Sequence, residues 1–167
     1  GHDIAVLSVN PLKTIVGQGY TMQINVTVAN QGDYMETFNV TLYANTTTIK
    51  TREITLTSLN STTITFAWDT SGFVKGNYTI SAYAWSVLGE TNKADNTLSD
   101  GSVLISCVGD VNGDRTTELT DYQLVKKAMA STLGSPNWNP NADINSDDII
   151  DVTDYQIVKS HIPTTDP

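Results

Sequence analysis

The sequence predicts a multidomain chain: an all-β, immunoglobulin-like antiparallel sandwich followed by a small all-α unit built from two loop-helix repeats. Three observations carry this. Short apolar/polar alternations fill residues 4 to 106. The twelve residues from Asp110 to Asp121, DVNGDRTTELTD, return 33 positions later as Asp143 to Asp154, DINSDDIIDVTD. The apolar spacing changes from two to a helical period directly after each of those loops.

The first region reads as about seven strands: IAVLSV, YTMQINVTVAN, TFNVTLYA, REITLTSL, TTITFAW, NYTISAYAWSV and SVLIS. In the second, Met22, Ile24, Val26 and Val28 alternate with Thr21, Gln23, Asn25 and Thr27, giving one apolar and one wet face. Gly, Asn, Asp and Ser clusters separate the strands, and no helical pattern interrupts them. Trp68, Tyr83 and Trp85 invite comparison with a sugar-stacking platform, but their strand positions favour core or inter-strand packing. Glu90, Asp95 and Asp100 read as a solvated turn.

Composition narrows the function. The net charge is -9, with 8 acids against 5 Lys/Arg in residues 1–109 and 10 against 4 in residues 110–167. No basic stripe exists to displace counterions from phosphates, which argues against nucleic acid and anionic membranes; a cation suits the acidic end. No apolar run approaches the ~20 residues of a membrane helix, so no membrane insertion is expected. Gly1-His2 looks like a cloning remnant. Cys107, the single cysteine, excludes an internal disulfide and reads as a small buried residue at a strand end. Asn-x-Ser/Thr sequons at Asn25, Asn39, Asn45, Asn60 and Asn77 point to an exported, extracellular or cell-surface protein.

The acidic loops fit calcium. Such a loop presents oxygen from its first, third, fifth, seventh and twelfth positions, the seventh through its backbone carbonyl and the ninth often through water. The first copy offers Asp110, Asn112, Asp114, Thr116, Glu118 (ninth) and Asp121. The second offers Asp143, Asn145, Asp147, Ile149, Asp151 (ninth) and Asp154. Oxygen donors without His or Cys suit calcium over zinc or copper, and magnesium demands tighter geometry. A solvated acidic loop would explain one copy; two in register, each feeding a near-identical helix, favour two structural calcium ions. The helices TDYQLVKKAMA and TDYQIVKSHI carry the stripes Tyr122, Val125, Met129 and Tyr155, Val158, Ile162.

Two resemblances organise these features. An apolar, Thr-rich second strand ending in Asn-x-Gly-Asp, a Trp-Asp-Thr ending to the fifth strand, a Gly-Asn-Tyr entry to the sixth and the corner Glu-x-x-x-Ala-Asp-Asn-Thr make residues 3–106 resemble the CARDB family. That family is an extracellular immunoglobulin-like module, which implies a spacer, adhesion or ligand-binding role. GDVNGD, LTDYQLVKK, NADINSDD and VTDYQIVKS make residues 108–163 resemble a type I dockerin, two F-hand calcium segments lacking the entering helix of an EF-hand.

The dockerin resemblance implies a cohesin module as partner. Its recognition positions fall on Leu119 and Thr120 and on Val152 and Thr153, with helix contacts at Lys126, Lys127, Lys159 and Ser160. The near-identity of the copies implies that a partner can grip either after a half-turn. Leu119 and Val152 replace the small polar residue frequent at the tenth position and imply a more apolar contact. A second departure is Arg115 and Asp148 at the sixth loop position, where Gly is usual.

The expected function is therefore a non-catalytic assembly fragment attaching its parent to a scaffold, cellulosomal or otherwise. The alternative is a carbohydrate-binding or adhesive sandwich acting on glycans. An enzyme has little support, since His161 lacks a Ser or Cys partner and metal accounts for the clustered acids. The short junction at residues 106–108 predicts rigid packing of the modules.

Overall fold

The computed structural model describes residues 1–166. Eight strands form the β region: β1 (Ile4–Pro11), β2 (Ile15–Gly17), β3 (Thr21–Asn30), β4 (Glu36–Ala44), β5 (Thr47–Leu56), β6 (Ser61–Asp69), β7 (Gly76–Ala84) and β8 (Thr97–Ser106). They make a three-stranded sheet ordered β1-β3-β6 and a five-stranded sheet ordered β2-β8-β7-β4-β5. The alternation in β3 holds, with Met22, Ile24, Val26 and Val28 all fully buried. Trp68 of β6 is also fully buried and meets Tyr78 of β7 edge-on at 5.8 Å between ring centres.

Two expectations for this region need correcting. The sandwich is not purely antiparallel, because β2 pairs parallel to β8, Ile15 opposite Leu104. Residues 12–14 carry the chain from the β1 sheet into the β8 sheet. With three residues ending on a Gly, β2 leaves no alternation to read. Of the three acids expected to be solvated, Asp100 is exposed but Glu90 is buried, accepting the Ile4 N–H at 2.9 Å through Oε1 and the Val87 N–H at 3.1 Å through Oε2. Among the aromatics, β7 ends at Ala84 and Trp85 is half-exposed, its indole N–H donating to Thr41 Oγ1 at 2.9 Å. Cys107 is buried just past β8, as expected.

The remainder holds two α-helices, α1 (Leu119–Lys127) and α2 (Val152–Ser160), each opening within an acidic loop. It is not all-α. Two-residue strands β9 (Thr116–Thr117) and β12 (Thr164–Thr165) pair, as do β10 (Ser131–Thr132) and β11 (Ile149–Ile150). Each loop is therefore closed by the segment that follows the helix of the other copy. Val125 and Val158 of the two stripes are fully buried with Val111, Ile144 and Ile150, and the Tyr122 and Tyr155 rings lie 4.4 Å apart. α1 stops at Lys127, short of Met129, because Ala130 has a positive φ of 62°.

The chain forms two compact units. One comprises Gly1–Pro11, Ile24–Trp68 and Tyr78–Ser102; the other comprises Leu12–Gln23, Asp69–Asn77 and the residues from Val103 on.

Candidate metal centre

Each acidic loop curls around its own carboxylates. Asp110 Oδ1 accepts the Gly113 N–H at 2.7 Å and Oδ2 accepts the Arg115 N–H at 2.9 Å. Asp114 Oδ1 accepts from the Thr116 backbone at 3.0 Å and from its hydroxyl at 2.8 Å. Asp121 closes the ring: Oδ1 accepts the Val111 N–H at 2.8 Å, while Oδ2 accepts the Glu118 N–H at 2.9 Å at the helix N-terminus. The second copy repeats this, with Asp143 accepting from Asp148 at 2.9 Å and Asp154 from Ile144 at 2.8 Å and Asp151 at 2.9 Å. One residue thus shapes a loop and caps a helix.

The outcome is two carboxylate triads. Oxygens of Asp110, Asp114 and Asp121 lie within 4.8 Å of one another, as do those of Asp143, Asp147 and Asp154. The first and twelfth members are buried and the fifth is exposed in both copies. Burial pushes Asp121 and Asp154 above the ordinary aspartate value, and pushes Asp143 up to about 6 against the opposing pull of loop N–H groups and Lys13. Asp114 is held low, chiefly by the Thr116 hydroxyl.

These residues fit a hard cation. Every side-chain donor is oxygen, and Asn145 Oδ1, at the third position of the second loop, is enclosed without a hydrogen-bond partner. Both asparagines donate from the amide to the fifth-position aspartate, at 3.2 and 3.1 Å, but Asn112 Oδ1 accepts the Asp114 N–H at 3.1 Å. Glu118 and Asp151 stand outside the triads at the helix N-caps, where Asp151 Oδ1 accepts the Thr153 N–H at 2.8 Å. Thr116 and Ile149, whose backbone carbonyls fall at the seventh position, open the short strands β9 and β11.

Arg115 and Asp148 both adopt φ of +66°, the left-handed conformation that their loop position demands. Sequence reasoning missed a second such residue per loop, Gly113 at +81° and Ser146 at +56°. A non-Gly residue there costs roughly 1 kcal/mol. Arg115→Gly is accordingly expected to raise the unfolding midpoint and tighten calcium at the first loop; calorimetry with a thermal melt checks both, and unchanged values would mean the strain is relieved elsewhere. Gly109 at φ +94° is irreplaceable for a second reason, since a Cβ would lie 2.8 Å from Thr117 Cγ2.

Supports for the loops come from distant sequence within the second compact unit. Ser106 Oγ donates to Asp110 Oδ2 at 2.6 Å. Lys13 is buried and donates from Nζ to the Asp143 carbonyl at 2.6 Å; burial lowers its pKa to about 8 despite the charges of Asp143 and Asp154. Asn141 Oδ1 accepts the Thr14 and Ile15 N–H groups at 2.9 and 3.1 Å. Asp166 pairs with Lys75 at 2.5 Å and donates its N–H to the Arg115 carbonyl at 3.0 Å. No local motif announces Lys13 or Asp166, because their partners lie about 100 residues away.

All eight expected recognition residues, Leu119, Thr120, Lys126, Lys127, Val152, Thr153, Lys159 and Ser160, are exposed. An open depression of about 320 Å³ is lined by Leu119, Tyr122, Lys159 and Ile162, bringing the start of α1 beside the end of α2.

A β-sandwich joined to paired aspartate loops, each capping a helix, defines a modular protein with a metal-loop unit. The family profile of the type I dockerin domain matches residues 108–163 and that of CARDB matches residues 2–100; the chain belongs to the CARDB family. Both are non-catalytic domains, type I dockerins bind calcium, and a dockerin domain implies binding to a cohesin module. Neither match supports the glycan-binding reading. No curated protein matches the chain.

Among solved structures, the CARDB domain of a Pyrococcus furiosus protein in complex with di-metal ions is 23% identical. It covers 64% of this chain and 94% of its own, with a TM-score of 0.55. A domain of a putative cell surface protein from Methanosarcina acetivorans is 27% identical over 62% of this chain and 91% of its own, TM-score 0.50. A β-glucosidase from Erythrobacter marinus shares 13% identity over 62% of this chain but 15% of its own, TM-score 0.50, which is a likeness of fold alone.

Proposed function

We propose that the chain is a non-catalytic, extracellular assembly fragment. Its residues 108–163 form a dockerin of two F-hand segments that holds two structural calcium ions and docks to a cohesin module, attaching the parent protein to a scaffold. The CARDB sandwich, residues 3–106, serves as spacer or adhesion module. The carrying observation is the pair of in-register aspartate triads, each built on the residue that caps a helix whose outer face is open. Bound calcium would be held by Asp110, Asn112, Asp114, the Thr116 carbonyl and Asp121, and by Asp143, Asn145, Asp147, the Ile149 carbonyl and Asp154, with Glu118 and Asp151 acting through water. The ion offsets the mutual repulsion of the carboxylates, so that its binding energy becomes folding energy.

Leu119 and Val152, 60% and 56% exposed, offer one apolar anchor in each copy, with Lys126, Lys127 and Lys159 on the exposed faces of the helices that follow. Replacing the three lysines with alanine is expected to weaken binding to a cognate cohesin at least tenfold, faster dissociation contributing most, in surface-resonance measurements. Unchanged affinity would remove these lysines from the interface. A screen of cohesins with the full chain, with and without chelator, tests the reading itself: calcium-dependent capture is expected, and capture of none, or capture indifferent to chelator, contradicts it.

A further inference from the structure

The two loops differ in what stands beside them. Lys13 lies in the crossover between β1 and β2, 130 positions before Asp143, and is 5% exposed. Its ammonium donates to the Asp143 carbonyl at 2.6 Å and, among the described residues, forms no direct ion pair. The crossover that carries it is fixed. Asn141 Oδ1 accepts the Thr14 and Ile15 N–H groups, the Asn141 amide donates to Thr14 Oγ1 at 3.0 Å, and the Thr14 carbonyl accepts the Leu104 N–H at 2.8 Å. Lys13 is thereby held at the first position of the second loop, inside one compact unit.

An ammonium has three donors and is costly to bury against a neutral acceptor alone. The field of the neighbouring carboxylates offsets that cost. Burial works against the charge of Lys13, while Asp143 and Asp154 hold the proton on. Lys13 in turn opposes the effect of burial on Asp143. The first loop has no such neighbour, since among the described residues Lys13 is the one buried Lys or Arg. Asp110 receives a neutral hydroxyl instead, from Ser106 at 2.6 Å, and Arg115 of that loop is exposed, where solvent and salt screen its charge.

We propose that Lys13 is a positioning residue of the second loop: its buried ammonium offsets the repulsion among Asp143, Asp147 and Asp154, so that this loop depends less on a bound ion for its shape than the first does. The inference rests on the calcium reading of both loops. Two near-identical sequences thus become unequal sites.

Amide exchange of the full chain at neutral pH, in chelator and in calcium, tests this. In chelator, residues 143–154 of the unaltered chain are expected to exchange more slowly than residues 110–121. Lys13→Met keeps the apolar stem and removes the charge and the donor. It is expected to speed exchange of residues 143–154 by about tenfold or more in chelator, and calcium is expected to restore the protection. Lys13→Met/Asp147→Asn separates charge from packing by removing one exposed carboxylate together with the ammonium; in chelator it is expected to recover most of the lost protection. Equal exchange of the two loops in the unaltered chain, or protection unmoved by Lys13→Met, would overturn the proposal. A loss that calcium does not restore, or that Asp147→Asn does not relieve, would also overturn it and assign Lys13 to packing alone. An unaltered chain in which calcium slows exchange of neither loop would instead overturn the calcium reading, and this inference with it.

Discussion

Replacing Asp154 with alanine is expected to unfold α2 and its loop. The side chain is fully buried and accepts from Ile144 and Asp151, with a third, longer bond from Asn145 at 3.4 Å. Alanine removes all of these acceptors together with the twelfth-position carboxylate, leaving backbone N–H groups enclosed without partners. The cost is roughly 3 kcal/mol or more, which the few buried side chains of this unit, Val111, Ala128, Ile144 and Ile150 among them, are poorly placed to absorb. Asp154→Asn preserves the shape and one acceptor but halves the donor capacity toward a metal, and so is expected to fold while binding calcium weakly. Amide exchange of α2 checks this: protection retained in the alanine variant would show that the helix is held by packing alone.

Acidification is expected to produce the second large effect. Burial raises Asp143 to about 6 and also raises Asp121 and Asp154. In an unfolded chain aspartate titrates near 4. Between those values the metal-free folded form binds more protons than the unfolded one, so its stability rises as the pH falls through about 6 toward 4. Calcium requires the ionised carboxylates, and its affinity falls over the same window. The holo protein thus loses its advantage over the apo protein on acidification. Thermal melts with calcium and with chelator, taken from pH 7.5 to 5, are expected to converge; a gap constant with pH would show that the triads do not hold the stabilising ion.

Much of this was legible because it is local. Alternation in β3 sets its buried face through a period of two, and the twelve-residue spacing from Asp110 to Asp121 survives any tertiary detail. Helical stripes located Val125 and Val158. What was not legible depends on distance or on short length. β2 has three residues and takes its place from β8, some 90 positions away. Glu90 is indistinguishable in sequence from a surface turn acid until the Ile4 N–H arrives beside it. Lys13 resembles any solvated lysine, and its burial against the Asp143 carbonyl follows only from the chain crossing between sheets. The left-handed fourth position escaped notice in both copies, since Gly113 in the first has no Gly counterpart in the second, where Ser146 stands.

Far-UV circular dichroism of the chelator-stripped chain, followed as calcium is returned, tests most directly whether the paired loops are a calcium-dependent folding unit. The helical signal is expected to rise and saturate in the unaltered chain and to stay flat in Asp121→Asn/Asp154→Asn. A helical signal that ignores calcium, or an equal rise in the variant, would contradict the assignment of calcium to the aspartate triads.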